Sequence, residues 1–171
     1  TDTGGSCRIP ASFCGLTGFK PTARRVSLAG AFPLSHTLDS IGPLGATVDC
    51  CARIDALLSG ETNGDAAARE PSTLRLAVLD NYVTDGISDE VARAYERSLD
   101  FLRAAGARIE RVTLPELERI PEMNARGGIV AAEAYAIHAN MLETKGELYD
   151  PRVRIRILKA REQAPNEYQA L

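Results

Sequence analysis

The sequence predicts an α/β fold, and three observations carry the prediction. Residues 74–79 form an apolar run typical of a buried strand, and residues 108–114 alternate between apolar and polar side chains. Between them a helical pattern begins at the N-cap Ser88 and stops at Gly106. This strand–helix–strand order predicts a βαβ unit over 74–114 with parallel strands.

The first 46 residues have a different character. Residues 1–46 are rich in Gly, Pro, Ser and Thr, but they contain apolar islands such as Phe19 and Ile41. This mixture favours short strands and tight loops packed in a core over a disordered tail. A short helical turn is predicted near 10–14, since proline is tolerated in a first turn.

The remaining helices are marked by their ends. One helix is predicted between the N-cap Thr47 and Gly60, and a polar surface connector follows at 61–73. A long helix is predicted through Gly128–Lys145. Another begins near Pro151 and is interrupted around Pro165. We expect residues 1–171 to form a single, partial domain.

Composition excludes several classes of function. The net charge of −3 argues against a nucleic-acid-binding surface, which needs an excess of Lys and Arg. No apolar run approaches the ~20 residues that span a bilayer, so we predict no membrane partner. The four cysteines fit no zinc or disulfide framework, and the two histidines form no HExxH motif. We therefore expect free thiols in a reducing cytoplasm, with no metal and no cofactor.

The chemistry lies in the segment Gly4-Gly5-Ser6. Two glycines allow the backbone to turn tightly and to bring successive N–H groups toward one point. A serine hydroxyl beside such donors suits acyl transfer, because the donors stabilise the oxyanion of a tetrahedral intermediate. By itself this pattern is more often a simple turn. A phosphate-binding P-loop is excluded, since no GK[ST] follows the glycines.

Residues 2–11, DTGGSCRIPA, resemble the second half of the signature of the amidase signature family. The resemblance continues through FCGLTGFKPT at 13–22, RVS at 25–27 and LDSIGP at 38–43, and less specifically over the rest of the chain. The chain thus resembles an internal segment of a family member. Cys7 departs from the family pattern, which has an aliphatic residue there, and we expect it to be a core residue.

The resemblance implies a fold, an activity and a set of site residues. The fold is a mixed, twisted β-sheet covered by helices, present here only in part. The activity is hydrolysis of a small-molecule carboxylic amide through a serine acyl-enzyme, which releases ammonia or an amine. Ser6 matches the nucleophile, and the backbone N–H groups of Thr3, Gly4, Gly5 and Ser6 match the oxyanion hole.

The other members of the implied Ser–Ser–Lys triad match no residue of this chain. The bridging serine and the lysine lie upstream of the family's nucleophile, so we expect them before residue 1 and expect this chain alone to be inactive. Lys20 belongs to the downstream GFKPT segment and is interpreted as structural. Arg8 and Asp39 match polar family positions, and we expect them to hold active-site loops through charged hydrogen bonds.

Several alternatives remain open. The chain could derive from the glutaminase subunit of the tRNA-dependent amidotransferase, or from a non-catalytic protein that has kept the fold, and a homodimer is one possible assembly.

A triad of Ser6, His36 and Asp39 is rejected, because the family needs no histidine. Glu133 and His138 could line a substrate channel, but we interpret them as a partly exposed polar pair on a helix.

Overall fold

The structure, a computed structural model, describes residues 1–62 and 68–171. Its α-helices are, in chain order, α1 (Arg8–Phe13), α2 (Val48–Ser59), α3 (Asp89–Ala104), α4 (Ile120–Met123), α5 (Gly128–Lys145), α6 (Pro151–Leu158) and α7 (Glu167–Ala170). Its strands are β1 (Thr17–Gly18), β2 (Leu44–Gly45), β3 (Arg75–Leu79) and β4 (Arg108–Val112). Short 3₁₀ helices lie at Pro71–Thr73, Pro115–Arg119, Gly146–Leu148 and Lys159–Glu162.

Contacts group the described residues into two compact units. One comprises 1–62 and 123–171, and the other comprises 68–122. The assignment of one partial domain over 1–171 stays a prediction. The strands pair in two small sheets, β1 with β2 antiparallel and β3 with β4 parallel, so the chain is mixed α/β.

The unit of 68–122 is a strand–helix–strand arrangement. β3 and β4 pair in register from Arg75 opposite Arg108 to Leu79 opposite Val112. Helix α3 connects them, and Ser88 caps it by accepting a hydrogen bond from the Val91 N–H. The second strand ends at Val112, two residues before the end of the alternating pattern.

The N-terminal part of the other unit packs short elements against one another. β1 and β2 form an antiparallel pair, and an isolated bridge joins Asp2 to Ser40. Helix α2 matches the predicted helix, with the Thr47 side chain accepting from the Cys50 N–H and Gly60 ending it in the left-handed conformation. Helix α1 begins at Arg8, two residues before the predicted turn.

Helices α5 and α6 supply the C-terminal core of the same unit. Ala134, Leu142 and Ile157 form a buried cluster, and partly buried residues pack on it. Helix α5 has the predicted bounds. Helix α6 starts at Pro151, where the Asp150 side chain accepts from the Arg152 N–H. The predicted interruption lies between the 3₁₀ helix Lys159–Glu162 and α7.

The close packing around Gly42 can be tested by substitution. A Cβ at Gly42 would collide with the Phe19 carbonyl oxygen, whereas a Cβ at Gly4 would meet nothing within 4 Å. We expect Gly42→Ala to lower the free energy of unfolding by about 1–3 kcal/mol, because the backbone must shift to admit the methyl group. Urea unfolding measures the change. Gly4→Ala is the control, and equal midpoints for the two variants would contradict the packing described.

Candidate active site

The buried carboxylate of Asp2 shapes the loop that carries Ser6. Asp2 is completely inaccessible to solvent. Its backbone pairs with Ser40, with the Asp2 N–H 2.8 Å from the Ser40 oxygen and the Ser40 N–H 2.9 Å from the Asp2 oxygen. Oδ1 of Asp2 accepts the Gly5 N–H at 2.7 Å, and Oδ2 accepts the Cys7 N–H at 3.1 Å. The chain from 3 to 7 is thus folded around one carboxylate.

Arg8 completes the hydrogen bonding of that carboxylate. Its Nε donates to Oδ2 at 3.1 Å and its Nη2 donates to Oδ1 at 3.2 Å, a two-pronged contact that suits a guanidinium. Burial alone would raise the pKa of Asp2. The hydrogen bonds from Arg8, Gly5 and Cys7 outweigh burial and hold the pKa of Asp2 well below its usual range. Asp2 is therefore a carboxylate at neutral pH.

Gly5 occupies a position that favours glycine for two reasons. Its φ is +124°, in the region that other residues rarely adopt. A Cβ there would also lie 2.6 Å from Cδ1 of Ile9. The Gly5 carbonyl accepts the Ile9 N–H at 2.8 Å, which starts the turn into α1. The loop and the helix are thus joined through Gly5.

Ser6 lies exposed at the turn before α1. Its hydroxyl has no hydrogen-bond partner within residues 1–62 and 68–171. The N–H groups of Thr3, Gly4 and Ser6 likewise donate to no acceptor in the described part of the chain. The Gly5 N–H, in contrast, donates to Asp2. Of the four N–H groups proposed from the sequence as oxyanion donors, three therefore have no acceptor among the described residues.

A second carboxylate, Asp39, attaches this loop to the segment 34–39. Oδ1 of Asp39 accepts the Thr3 hydroxyl at 2.5 Å. Oδ2 accepts the N–H groups of Leu34, at 2.8 Å, and Ser35, at 3.1 Å. Partial burial would raise the pKa of Asp39, but these three hydrogen bonds outweigh it and lower that pKa. The Thr3 hydroxyl thus joins the loop that carries Ser6 to the segment 34–39 through Asp39.

Glu133 is a buried residue of α5, not part of a partly exposed polar pair, and that interpretation of the sequence was wrong. Only 6% of Glu133 is exposed. Oε2 accepts the Ser35 hydroxyl, the Thr37 N–H at 3.1 Å and the Thr37 hydroxyl at 3.2 Å. Oε1 accepts the Tyr168 hydroxyl at 2.7 Å. Burial would raise the pKa of Glu133, but these donors prevail and lower it to about 2.

His138 is also buried, so the same correction applies to it. Its Nε2 lies 3.2 Å from the Pro33 carbonyl oxygen, which can only accept, and so Nε2 donates. Its Nδ1 shares a hydrogen bond of 2.7 Å with the Tyr149 hydroxyl. The Phe32 ring packs edge-on against the imidazole, with 5.4 Å between centroids. Both ring nitrogens are therefore engaged within the protein.

Lys20 and His36 were also considered from the sequence, and the structure shows the surroundings of each. The Lys20 ammonium donates to the Pro21 carbonyl at 2.6 Å. His36 lines a small cavity of about 110 Å³ together with Ser35 and Asp39. No hydrogen bond joins Ser6, His36 and Asp39 among the contacts of the described residues. Nor do the described residues contain a group of three or more His, Cys, Asp or Glu side chains that could hold a metal ion.

Sequence reasoning did not single out Asp2, and it named Glu133 without predicting its burial or its partners. A local signal for Asp2 exists, because Asp side chains often accept N–H groups a few residues ahead and an arginine follows six positions later. Glu133 has no such signal. Its partners Ser35 and Thr37 lie 98 and 96 residues away in sequence.

Comparison with known proteins decides the family. The family model described as Amidase matches residues 1–170. The chain belongs to the amidase family. A solved structure of an amidase matches with a TM-score of 0.85 at 36% identity, over 99% of this chain and 38% of that one. The α/β fold class, with only part of the family fold present, is thereby confirmed.

Two relatives illustrate the range of proteins to which this chain is similar. The 2-amino-5-chloromuconic acid deaminase of Comamonas testosteroni is 37% identical over 98% of this chain and 37% of the deaminase. One subunit of the glutamyl-tRNA(Gln) amidotransferase of Paramagnetospirillum magneticum is 37% identical over 67% of this chain and 26% of that subunit. The chain therefore spans roughly a quarter to two fifths of these proteins. In the described residues no helix is long and apolar enough to cross a membrane.

The lowered pKa of Glu133 predicts a pH-dependent stability. The pKa is about 2 in the folded chain against an ordinary 4.5, so the carboxylate stabilises the fold above about pH 4.5. That stabilisation, about 3 kcal/mol for such a difference, is lost as the pH falls toward 2. We expect Glu133→Gln to show a shallower loss in this window by urea unfolding. Glu143→Gln, an exposed change on α5, is the control, and parallel profiles for all three proteins would contradict the assignment.

Proposed function

We propose that the full-length protein hydrolyses a carboxylic amide through an acyl-enzyme on Ser6. The observation that carries the proposal is the geometry of the loop at 2–8. The Asp2 carboxylate binds the Gly5 and Cys7 N–H groups from inside. It leaves an exposed serine hydroxyl beside N–H groups of the same loop that donate to no acceptor within residues 1–62 and 68–171.

The chain's own residues would act as follows. The Ser6 hydroxyl oxygen attacks the amide carbonyl carbon, and the carbonyl oxygen becomes an oxyanion. The N–H groups of Thr3, Gly4 and Ser6 donate to that oxyanion, each such donor being worth about 3 kcal/mol in the transition state. The C–N bond then breaks, and the nitrogen leaves as ammonia or an amine after taking, through the base, the proton that the Ser6 hydroxyl lost. Water cleaves the Ser6 ester, which releases the acid and regenerates the hydroxyl.

Activation of Ser6 needs a base, and we assign it to residues preceding Thr1. The family resemblance implies a bridging serine and a lysine there, which together with Ser6 would form a Ser–Ser–Lys triad. A serine hydroxyl without a base in hydrogen-bond reach is a poor nucleophile. We therefore propose that the 171-residue chain alone is inactive, and that the full-length protein is the one to assay. We also retain the cytoplasm as the proposed compartment, because the cysteine spacing fits no disulfide framework.

Arg8 and Asp39 are proposed as structural residues of the site. Arg8 neutralises the buried Asp2 carboxylate, and Asp39 binds the Thr3 hydroxyl. Among the contacts of the described residues, neither side chain forms a hydrogen bond with the Ser6 hydroxyl. Their loss would distort the donors rather than remove a reacting group.

A second candidate is the glutaminase subunit of a tRNA-dependent amidotransferase, in which ammonia passes to a partner protein. The similarity to the P. magneticum protein favours this candidate, although it extends over less of the chain than the similarity to the C. testosteroni deaminase. The two candidates differ in substrate. Rapid release of ammonia from glutamine, with little turnover of other amides, would select the glutaminase.

Replacement of Ser6 tests the proposal. We expect Ser6→Ala to lower kcat/KM for amide hydrolysis by about 10³-fold or more, because the acyl acceptor is lost. A fluorophosphonate probe should label Ser6 in the wild-type protein. Ser12→Ala is the matched control, since Ser12 is an exposed serine on α1. If Ser6→Ala turned over amides within tenfold of the wild type, the nucleophile assignment would be wrong.

A further inference from the structure

We infer that Glu133 is a positioning residue for the nucleophile loop, acting through Ser35 and Asp39 on Thr3. The inference rests on the proposed function of Ser6 for its effect on rate. Its structural content is independent of that function. The carboxylate on α5 fixes the segment 34–39, and that segment fixes Thr3.

The first step is the contact between Glu133 and the segment 34–39. A single carboxylate oxygen accepts two hydroxyls and one N–H group, from Ser35 and Thr37. Ser35 is completely inaccessible to solvent, and Glu133 is almost so. Hydrogen bonds to an ionised acceptor in such surroundings are among the stronger ones in proteins. Glu133 therefore holds this segment against α5 at two residues, Ser35 and Thr37.

The second step runs from Ser35 to Asp39. The Ser35 N–H donates to the Asp39 carboxylate, and the Asp39 N–H donates back to the Ser35 carbonyl at 3.1 Å. The Ser35 hydroxyl also accepts the Leu38 N–H at 3.2 Å. Ser35 and Asp39 thus form one closed turn. A displacement of Ser35 from Glu133 must move the carboxylate of Asp39.

The third step reaches the nucleophile loop. The other oxygen of Asp39, Oδ1, accepts the Thr3 hydroxyl, and Thr3 supplies one of the three N–H groups of the loop that have no acceptor in the described part of the chain. Catalytic donors must be held to within about 0.5 Å, and a misplacement of 1 Å can cost about 10²-fold in rate. A shift of Asp39 is therefore large enough in principle to change the rate at Ser6.

Tyr168 supplies a matched control on the opposite side of the same carboxylate. Its hydroxyl donates to Oε1 of Glu133, whereas Ser35 and Thr37 donate to Oε2. Ser35→Ala and Tyr168→Phe each delete one hydroxyl from the same buried acceptor. Of these two residues, Ser35 is the one whose N–H donates to the Asp39 carboxylate. A purely structural role for Glu133 predicts that the two deletions act alike.

The experiment combines these deletions in the full-length protein. The rate of Ser6 labelling by a fluorophosphonate probe, kcat and KM are measured for wild type, Ser35→Ala, Thr3→Val, their double variant and Tyr168→Phe. We expect Ser35→Ala and Thr3→Val each to lower labelling and kcat about tenfold with little change in KM. The double variant should be no slower than the slower single variant, because both act through Asp39. Tyr168→Phe should stay within about twofold of wild type.

Two results would overturn the inference. One is a double variant whose loss equals the product of the single losses, which is expected of independent sites. The other is a Tyr168→Phe protein as impaired as Ser35→Ala. Thr3→Val keeps the Thr3 N–H, so its loss reports the hydroxyl contact with Asp39.

Hydrogen exchange separates this inference from the proposed function. Measured by mass spectrometry, the amides of residues 2–8 should exchange faster in Ser35→Ala than in wild type and should not change in Tyr168→Phe. If wild-type Ser6 resisted the probe, the proposed function would fail while the exchange data still tested positioning. Equal exchange at 2–8 in all variants would refute positioning even in an active enzyme.

Discussion

The ionised carboxylate of Asp2 is the constraint on which the candidate site depends. It is buried without contact with solvent, so each of its oxygens must find donors, and those donors are the Gly5 and Cys7 N–H groups and the Arg8 guanidinium. Satisfying the charge therefore dictates the path of the chain from 2 to 8. Ser6 is exposed because its neighbours on both sides, Gly5 and Cys7, turn inward to Asp2.

The same constraint explains which residues surround the loop. Position 5 favours glycine, because a side chain there would strain the backbone at φ +124° and collide with Ile9. Cys7 is buried and donates its thiol to the Gly42 carbonyl at 3.3 Å, so a residue that departs from the family pattern acts as a core residue. The carboxylates of Asp39 and Glu133 are stabilised by hydrogen-bond donors in the same way. Each is ionised because several donors converge on it.

Local signals allowed much of the fold to be predicted from the sequence. The caps Thr47 and Gly60 bound helix α2 as expected, because capping depends on residues within one turn. Helix α5 was likewise predictable in extent, but the burial of Glu133 within it was not. That burial depends on Ser35 and Thr37, which only the tertiary fold brings to the helix. The engagement of the Gly5 N–H by Asp2 also escaped prediction, since a motif gives residue types and not the direction of an N–H group.

A crystal structure of the full-length protein with a fluorophosphonate adduct on Ser6 would show directly whether Asp2 organises the loop for oxyanion binding. The phosphonyl oxygen of such an adduct occupies the place of the oxyanion. We predict that this oxygen lies about 2.7–3.1 Å from N–H groups of Thr3, Gly4 or Ser6, while the Gly5 N–H still donates to Asp2. An adduct oxygen bound by the Gly5 N–H, with the contact to Asp2 broken, would contradict this prediction.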